Sequence, residues 1–204
     1  MKQKQRAARL SSDERKEMTV MTVIALAADT NPEDITTTTI ARRMRMTQGA
    51  LFRHFATKDD IWGAVMEWVS VELLTLVDKA AYRQASPVDA LEAVFMAHID
   101  FVSRYPGVPR ILFSELQRPG DTPGKHVVRA LMGHYGDRLK AILTRGKAQK
   151  EFAHGIDDQA AVGMFIGSIQ GLVMQSLLAG NIRRIRDGAP GVLALYLRCI
   201  RRSS

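Results

Sequence analysis

The stretch from Ile35 to Phe55 reads ITTTTIARRMRMTQGALFRHF. Its apolar residues form two short groups at helical spacing, which are separated by the dipeptide Arg45-Met46. The two groups are Ile40, Ala41 and Met44, then Leu51 and Phe55. A threonine precedes each group, at Thr36 and Thr47, and threonine is favoured at helix N-termini. Two short helices joined by a tight turn predict a helix-turn-helix unit.

The charge of this segment is one-sided. No acidic residue lies between Ile35 and Lys58, although the whole chain carries 21. Five basic residues lie in the same segment, namely Arg42, Arg43, Arg45, Arg53 and Lys58. Basic side chains that neutralise phosphates release counterions and supply much of the affinity for DNA. The segment therefore predicts a DNA-binding surface, and a solvated basic helix pair without a ligand is the alternative.

The second short helix presents small or polar side chains that suit a helix in a major groove. These residues are Thr47, Gln48, Gly49, Ala50 and Arg53. Gln48 and Arg53 can make bidentate hydrogen bonds to adenine and guanine, respectively. Gly49 has no side chain, so it would allow the backbone to approach the duplex closely.

Composition sets the broad class of the protein. Of its 204 residues, 46% are hydrophobic and 25% charged, the ordinary balance of a soluble globular chain of one or two compact units. The single cysteine, Cys199, excludes an internal disulfide bond and a cysteine-based zinc cluster. No apolar run follows the basic residues at the start of the sequence, so we expect no leader segment and no apolar stretch of the roughly 18 residues that span a bilayer. These features predict a cytoplasmic protein that does not contact a membrane.

Apolar residues recur at steps of three and four along the whole chain, which predicts an all-α fold. Glycine, proline and capping residues divide it into about nine helices. We place them at 12–29, 37–44, 48–54, 58–81, 87–104, 108–117, 125–149, 158–179 and 190–202. The two shortest helices occur only in the first sixty residues. We therefore predict a three-helix DNA-binding domain at 1–57, with a basic tail at 1–10, and a larger helical bundle at 58–204.

Residues 36–61 resemble the N-terminal segment of TetR-type transcriptional repressors. The matching features are Thr36, Ile40-Ala41, Thr47, Gly49, Leu51-Phe52, His54-Phe55, Lys58 and Ile61. Several positions depart from the family pattern, among them Phe52 and Arg45. Phe52 stands where many members have tyrosine, so a phosphate-binding hydroxyl is absent. Arg45 stands where the family usually has glycine, which predicts a re-registered or strained turn.

The resemblance implies roles for individual residues. Gln48, Gly49, Ala50 and Arg53 would face bases, and Thr37, Phe52, His54 and Lys58 would hold the phosphate backbone. It also implies a dimeric repressor that binds a palindromic operator and is released by a small-molecule effector.

The bundle contains candidates for an effector pocket. Apolar residues at helical spacing carry two polar insertions, His98 and Tyr135, and buried polar groups need partners. The predicted lining is Trp68, Phe95, His98, Phe101, Phe113, Leu131 and Tyr135. A plain apolar core with satisfied polar groups is the alternative.

A glycine series suggests a helix contact. Gly163, Gly167 and Gly171 recur every four residues on one predicted helix, and each costs about 0.8–1.0 kcal/mol relative to alanine. Close approach of another helix would explain them, and Val192 and Tyr196 of the last helix would join the contact. We predict a two-fold dimer interface here, with tight packing inside one chain as the alternative.

The sequence lacks the usual marks of an enzyme. The five histidines include no His-x-x-x-His pair, and no P-loop, dinucleotide or Gly-x-Ser-x-Gly motif occurs. We predict no catalytic residue, metal or cofactor. Two alternatives remain, namely a DNA-binding regulator controlled by a protein partner and a helical ligand-binding protein or enzyme whose basic segment is incidental.

Overall fold

The computed structural model describes residues 11–202, and within them the fold is helical. The nine α-helices of this range are α1 (Ser12–Ala27), α2 (Thr37–Arg43), α3 (Gln48–Phe52), α4 (Lys58–Tyr82), α5 (Pro87–Arg104), α6 (Gly107–Gln117), α7 (Pro123–Ala148), α8 (Asp158–Leu178) and α9 (Ile185–Ile200). Two 3₁₀ helices, Pro32–Asp34 and Ile182–Arg184, and one isolated β-bridge between Phe152 and Arg201 complete it. The all-α prediction is confirmed. The predicted basic tail at 1–10 lies outside the described residues.

The last helix begins five residues earlier than predicted, at Ile185 instead of 190. Pro190, taken as a helix breaker, lies inside α9. A proline there removes one helical hydrogen bond. Ile185 and Ala189 are nonetheless buried on the same face as Leu193, so their packing holds the first turns of α9 in place. Tertiary packing has overridden the local signal of the proline.

The starts of the short helices are fixed by local hydrogen bonds. Thr36 accepts a hydrogen bond from the backbone N–H of Thr39 at 3.1 Å, and Thr47 accepts one from Ala50 at 3.2 Å. Both threonines are therefore N-caps, as predicted. These caps satisfy donors that the first turn of a helix leaves without partners.

The turn between α2 and α3 is strained rather than re-registered. Arg45 has φ of +56°, a left-handed conformation that disfavours residues with a Cβ. The N–H groups of Arg45 and Met46 donate to the carbonyls of Arg42 and Ala41, which is the hydrogen-bond pattern of a Schellman motif. Lys150 ends α7 in the same way with φ of +62°.

The first compact unit comprises the residues up to Val69 together with 105–127. Its core holds apolar side chains from the first helices and from α6, including Val23, Ile40, Leu51, Phe55 and Ile111. Helix α6 begins against α1, because a Cβ on Gly107 would lie 2.0 Å from the carbonyl oxygen of Ile24. This unit extends past the boundary predicted at residue 57, and the functional division at that residue stays a prediction.

The second unit comprises residues 70–104 and those from 128 onward. Its centre is an aromatic chain in which Phe165 contacts Phe95 and Tyr196 edge-on, with ring centroids 5.3 and 5.4 Å apart. These three side chains are almost fully buried. Edge-to-face pairs add stabilisation beyond the area they bury.

Helix α8 is the one described helix that is long and apolar enough to cross a membrane. The expectation that no segment reaches this length is therefore wrong, because Gln159–Ile182 contains no charged residue. Of the apolar 18-residue window in this helix, 39% is buried inside the protein. The core helix of a soluble protein meets the same criterion of length and composition.

Candidate nucleic-acid interface

The surface of α2 and α3 carries most of the predicted DNA-binding residues. Leu51 and Phe55 are buried and fix α3 on the unit, which leaves Thr47, Gln48, Gly49 and Arg53 exposed and Ala50 half-buried. This is the arrangement that the sequence predicted for the side of α3 that meets bases. The helix is short, with five residues, so its orientation depends on these buried anchors.

The basic residues of this surface are available for a polyanion. Arg42, Arg43, Arg45 and Arg53 are all exposed. Among the described residues, none of them forms a salt bridge within 4.0 Å. Their charge is therefore not neutralised by described carboxylates, which is the condition for counterion release on phosphate binding.

The residues predicted to hold phosphates have distinct surroundings. Phe52 is 41% exposed and has no hydroxyl to offer. His54 is half-buried, and its Nδ1 lies 3.2 Å from the hydroxyl of Ser12, which orients the ring from α1. The ammonium of Lys58 lies 3.4 Å from the carbonyl oxygen of Glu33 and 5.7 Å from the centre of the Trp62 ring. A phosphate contact by Lys58 would therefore compete with these two neighbours.

Gly49 has no structural role that the described chain explains. It lies within α3 and is exposed, and a Cβ added to it would meet nothing within 4 Å. Glycine in a helix is less favourable than alanine. The residue is therefore costly to the free protein, which is expected where a backbone approaches a ligand.

The predicted pocket residues fall into both compact units. Trp68 and Phe113 belong to the first unit, where Trp68 contacts Tyr105 edge-on at 5.1 Å. The other predicted lining residues belong to the second unit, where His98 is half-buried and the rest are buried, namely Phe95, Phe101, Leu131 and Tyr135.

The two polar insertions are partners of each other. Nδ1 of His98 lies 3.2 Å from the hydroxyl of Tyr135. Burial lowers the pKa of His98 to about 4 and raises the pKa of the Tyr135 hydroxyl. His98 is therefore neutral at pH 7, and each of the two groups supplies a hydrogen-bond partner to the other. The sequence argument that these groups need a bound molecule is weakened, while the pocket stays a prediction.

The predicted dimer residues have different exposures. Gly163 and Gly167 are exposed, and Gly171 and Val192 are half-buried. Tyr196 is 1% exposed, and its hydroxyl donates to the carbonyl oxygen of Ala161 at 3.2 Å. Its side chain belongs to the core of the second unit, and its part in a dimer interface stays a prediction. Core and interface residues share the same helical spacing, which is why the sequence did not separate them.

Sequence reasoning missed several residues and contacts at the predicted sites. Ser12 orients His54, and the carboxamide of Gln48 donates to the hydroxyl of Thr37 at 2.7 Å. Large apolar side chains exposed on α8 were also missed, namely Met164, Met174 and Leu178. Their spacing along the helix was a usable signal. The described residues contain no group of three or more metal-ligating side chains.

Comparison with known proteins identifies the N-terminal segment. The family model described as "Bacterial regulatory proteins, tetR family" matches residues 24–65, which include α2 and α3. Nucleoid occlusion factor SlmA from Idiomarina loihiensis is 23% identical over 167 residues, covering 81% of this chain and 85% of its own. SlmA from Shewanella amazonensis is 22% identical over 157 residues, covering 76% and 80%.

Solved structures of low identity share the fold. The transcriptional regulator FadR from Bacillus subtilis, in complex with stearoyl-CoA, superposes with a TM-score of 0.78 at 17% identity, covering 89% of this chain and 97% of its own. A TetR transcription regulator from Haloarcula marismortui gives 0.80 at 14% identity, with coverages of 93% and 100%. The SmeT–triclosan complex gives 0.75 at 17% identity, with coverages of 93% and 92%.

Proposed function

The chain belongs to the TetR family of bacterial regulatory proteins, and on that basis we propose that it is a homodimeric transcriptional repressor released from a palindromic operator by a small molecule. Its place in the family makes it a DNA-binding regulator. The dimer, the operator symmetry and the effector are the parts that we propose. The observation that carries the proposal is the exposed basic surface of α2 and α3, on which no described carboxylate neutralises the arginines.

Two contact types are expected on DNA. Arg53 lies on the exposed side of α3, where a guanidinium can form two hydrogen bonds with guanine. Lys58 lies at the start of α4, where an ammonium can only contact phosphate as a point charge. Arg53→Ala should therefore relax the preference at one base pair by about 1–3 kcal/mol, and Lys58→Ala should weaken binding to all sequences alike.

The DNA experiment starts by selecting bound sequences from random duplexes, which defines an operator. Binding of each variant is then measured by fluorescence anisotropy at several salt concentrations. A two-fold symmetric operator and a steep salt dependence are expected. If Arg53→Ala and Lys58→Ala both left affinity and preference unchanged, α3 would not be the recognition helix.

The dimer is supported by the exposed side of α8. A Cβ added at Gly163, Gly167 or Gly171 would meet nothing within 4 Å, so packing among the described residues does not explain these glycines. Three helical glycines together cost about 2.4–3.0 kcal/mol relative to alanine. Exposed Met164 and Met174 flank them on the same helix. A second copy of the chain would bury these side chains and use the space beside the glycines.

Bulky substitution tests this interface. Gly167→Leu should shift the protein from dimer to monomer in sedimentation velocity, because a leucine would hold the two α8 helices apart. Gly155→Leu is the matched control, since Gly155 is an exposed glycine outside α8 and a Cβ added to it would meet nothing within 4 Å. An unchanged sedimentation coefficient for Gly167→Leu would exclude this face as the interface.

The effector is supported by the fold neighbours that were crystallised with stearoyl-CoA and with triclosan. A thermal-shift panel of lipophilic and acyl compounds tests it, and a ligand of the proposed kind must also weaken operator binding.

A second candidate is a DNA-binding factor controlled by a protein partner, and the relatives named nucleoid occlusion factors favour it. A panel without any stabilising compound would support this second candidate. Either function is exercised on DNA, so we infer a cytoplasmic location and no enzymatic role.

A further inference from the structure

One hydrogen bond joins the two helices of the DNA-binding surface through their side chains. Nε2 of Gln48, the first residue of α3, donates to Oγ1 of Thr37, the first residue of α2, at 2.7 Å. Gln48 is exposed and Thr37 is half-buried. Neither residue caps its helix, because Thr36 and Thr47 do so. This bond is therefore not needed to start α2 or α3.

The direction of this bond follows from the chemistry of DNA. A phosphate oxygen only accepts hydrogen bonds, so a threonine hydroxyl that contacts phosphate must donate its single hydrogen there. The same hydroxyl can then only accept from Gln48. An amide that meets such a hydroxyl must use its nitrogen, which leaves the carbonyl oxygen Oε1 for another partner. The structure of the free protein already has this polarity.

We propose that Thr37 is a positioning residue that couples a phosphate contact to base selection by holding the Gln48 carboxamide with Oε1 toward the base. Among the described residues Oε1 of Gln48 accepts no hydrogen bond. In the major groove Oε1 pairs with an exocyclic amino group, and the remaining hydrogen of Nε2 can donate to a ring nitrogen. Adenine presents both groups, at N6 and N7. Guanine presents acceptors at O6 and N7, so Oε1 would face an acceptor and be rejected.

This inference rests on the proposed function but assigns a different property. The proposed function requires only that the surface binds an operator. The inference requires that one hydroxyl, which touches no base, changes the preference at one base pair. It also predicts that the adenine preference of Gln48 weakens when the hydroxyl of Thr37 is removed.

The test measures base preference at every position of the selected operator. Gln48→Ala locates the base pair that Gln48 contacts, as the position whose preference disappears. Thr37→Val keeps the shape of threonine without the hydroxyl, and it should lower the adenine-over-guanine preference at that same pair by about tenfold. Thr37→Ser should restore the preference. Thr38→Val is the matched control, because Thr38 is an exposed neighbour that makes no hydrogen bond through its side chain to the described residues.

The possible outcomes are distinct. Adenine preference lost in Gln48→Ala and reduced in Thr37→Val supports the inference, together with an unchanged salt slope for Thr37→Val, because a neutral hydroxyl releases no counterion. A uniform loss of affinity in Thr37→Val with unchanged preference overturns it and leaves Thr37 as a phosphate contact alone. Selection of guanine at the Gln48 position also overturns it. If the wild-type protein selects no sequence, the proposed function itself has failed.

Discussion

Replacing Gly49 with alanine should stabilise the protein and weaken its binding to DNA. A Cβ at this position meets nothing within 4 Å, so the folded chain accepts the methyl group without a clash. Alanine is more favourable than glycine in a helix by about 0.8–1.0 kcal/mol. Gly49 is the second residue of α3 and not an interior one, so we expect at most this gain and a rise in Tm of at most about 2–4 °C.

The effect on DNA binding should have the opposite sign. If the backbone at Gly49 approaches the duplex closely, an added methyl group moves α3 outward and lengthens the contacts of its neighbours. Loss of one good base contact costs about 1–3 kcal/mol. We therefore expect Kd for the operator to rise about tenfold, measured by fluorescence anisotropy at constant salt.

Gly63→Ala provides the matched control. Gly63 lies inside α4, and a Cβ there also meets nothing within 4 Å. The Gly63→Ala substitution should raise the free energy of unfolding by a similar amount while leaving Kd for the operator unchanged. An unaltered Kd for Gly49→Ala would refute the close approach, and a lower Tm would refute the reasoning about open space around Gly49.

Three further changes test individual features. Arg45→Gly removes the strain of a left-handed residue and should raise the free energy of unfolding by about 1 kcal/mol in urea titrations. It should also lower operator affinity, whereas Lys150→Gly, at the other left-handed residue, should leave operator affinity unchanged. The free energy of unfolding should fall below pH 6.5 by at most about 1.4 kcal/mol per pH unit down to about pH 4, because the unfolded state then binds a proton that desolvated His98 does not bind in the folded state. His98→Asn should flatten this slope, and an unchanged slope would assign it to other groups. Gly107→Ala should lower the free energy of unfolding by at least about 1–3 kcal/mol in the same titrations, since its Cβ would clash with the backbone of α1 at Ile24. An unchanged free energy of unfolding would contradict that contact.

Local signals were the part of the fold that the sequence predicted well. The starts of α2 and α3 follow from Thr36 and Thr47, since a cap acts within three residues of itself. The start of α9 was missed because Ile185 is held by packing against distant residues, which no local pattern records. The strain at Arg45 was predicted as one of two outcomes, and the structure selects it.

The candidate sites follow the same division. Exposure of Gln48 and Arg53 follows from the buried positions of Leu51 and Phe55, which helical periodicity gives directly. The pairing of His98 with Tyr135 joins residues 37 positions apart, and the sequence does not encode such distances in any local pattern. The contact between Thr37 and Gln48 depends on the angle between two helices and was likewise beyond sequence reasoning.

The contact between Gly107 and Ile24 has a practical consequence for anyone who truncates this protein. The unit that carries α2 and α3 is assembled from two separate stretches of chain. A fragment that stops after α4 would lack α6, and the apolar side of α1 would be left facing water. Expression trials of an isolated DNA-binding fragment should therefore retain residues 105–127, joined through a short linker, if they are to yield a folded product.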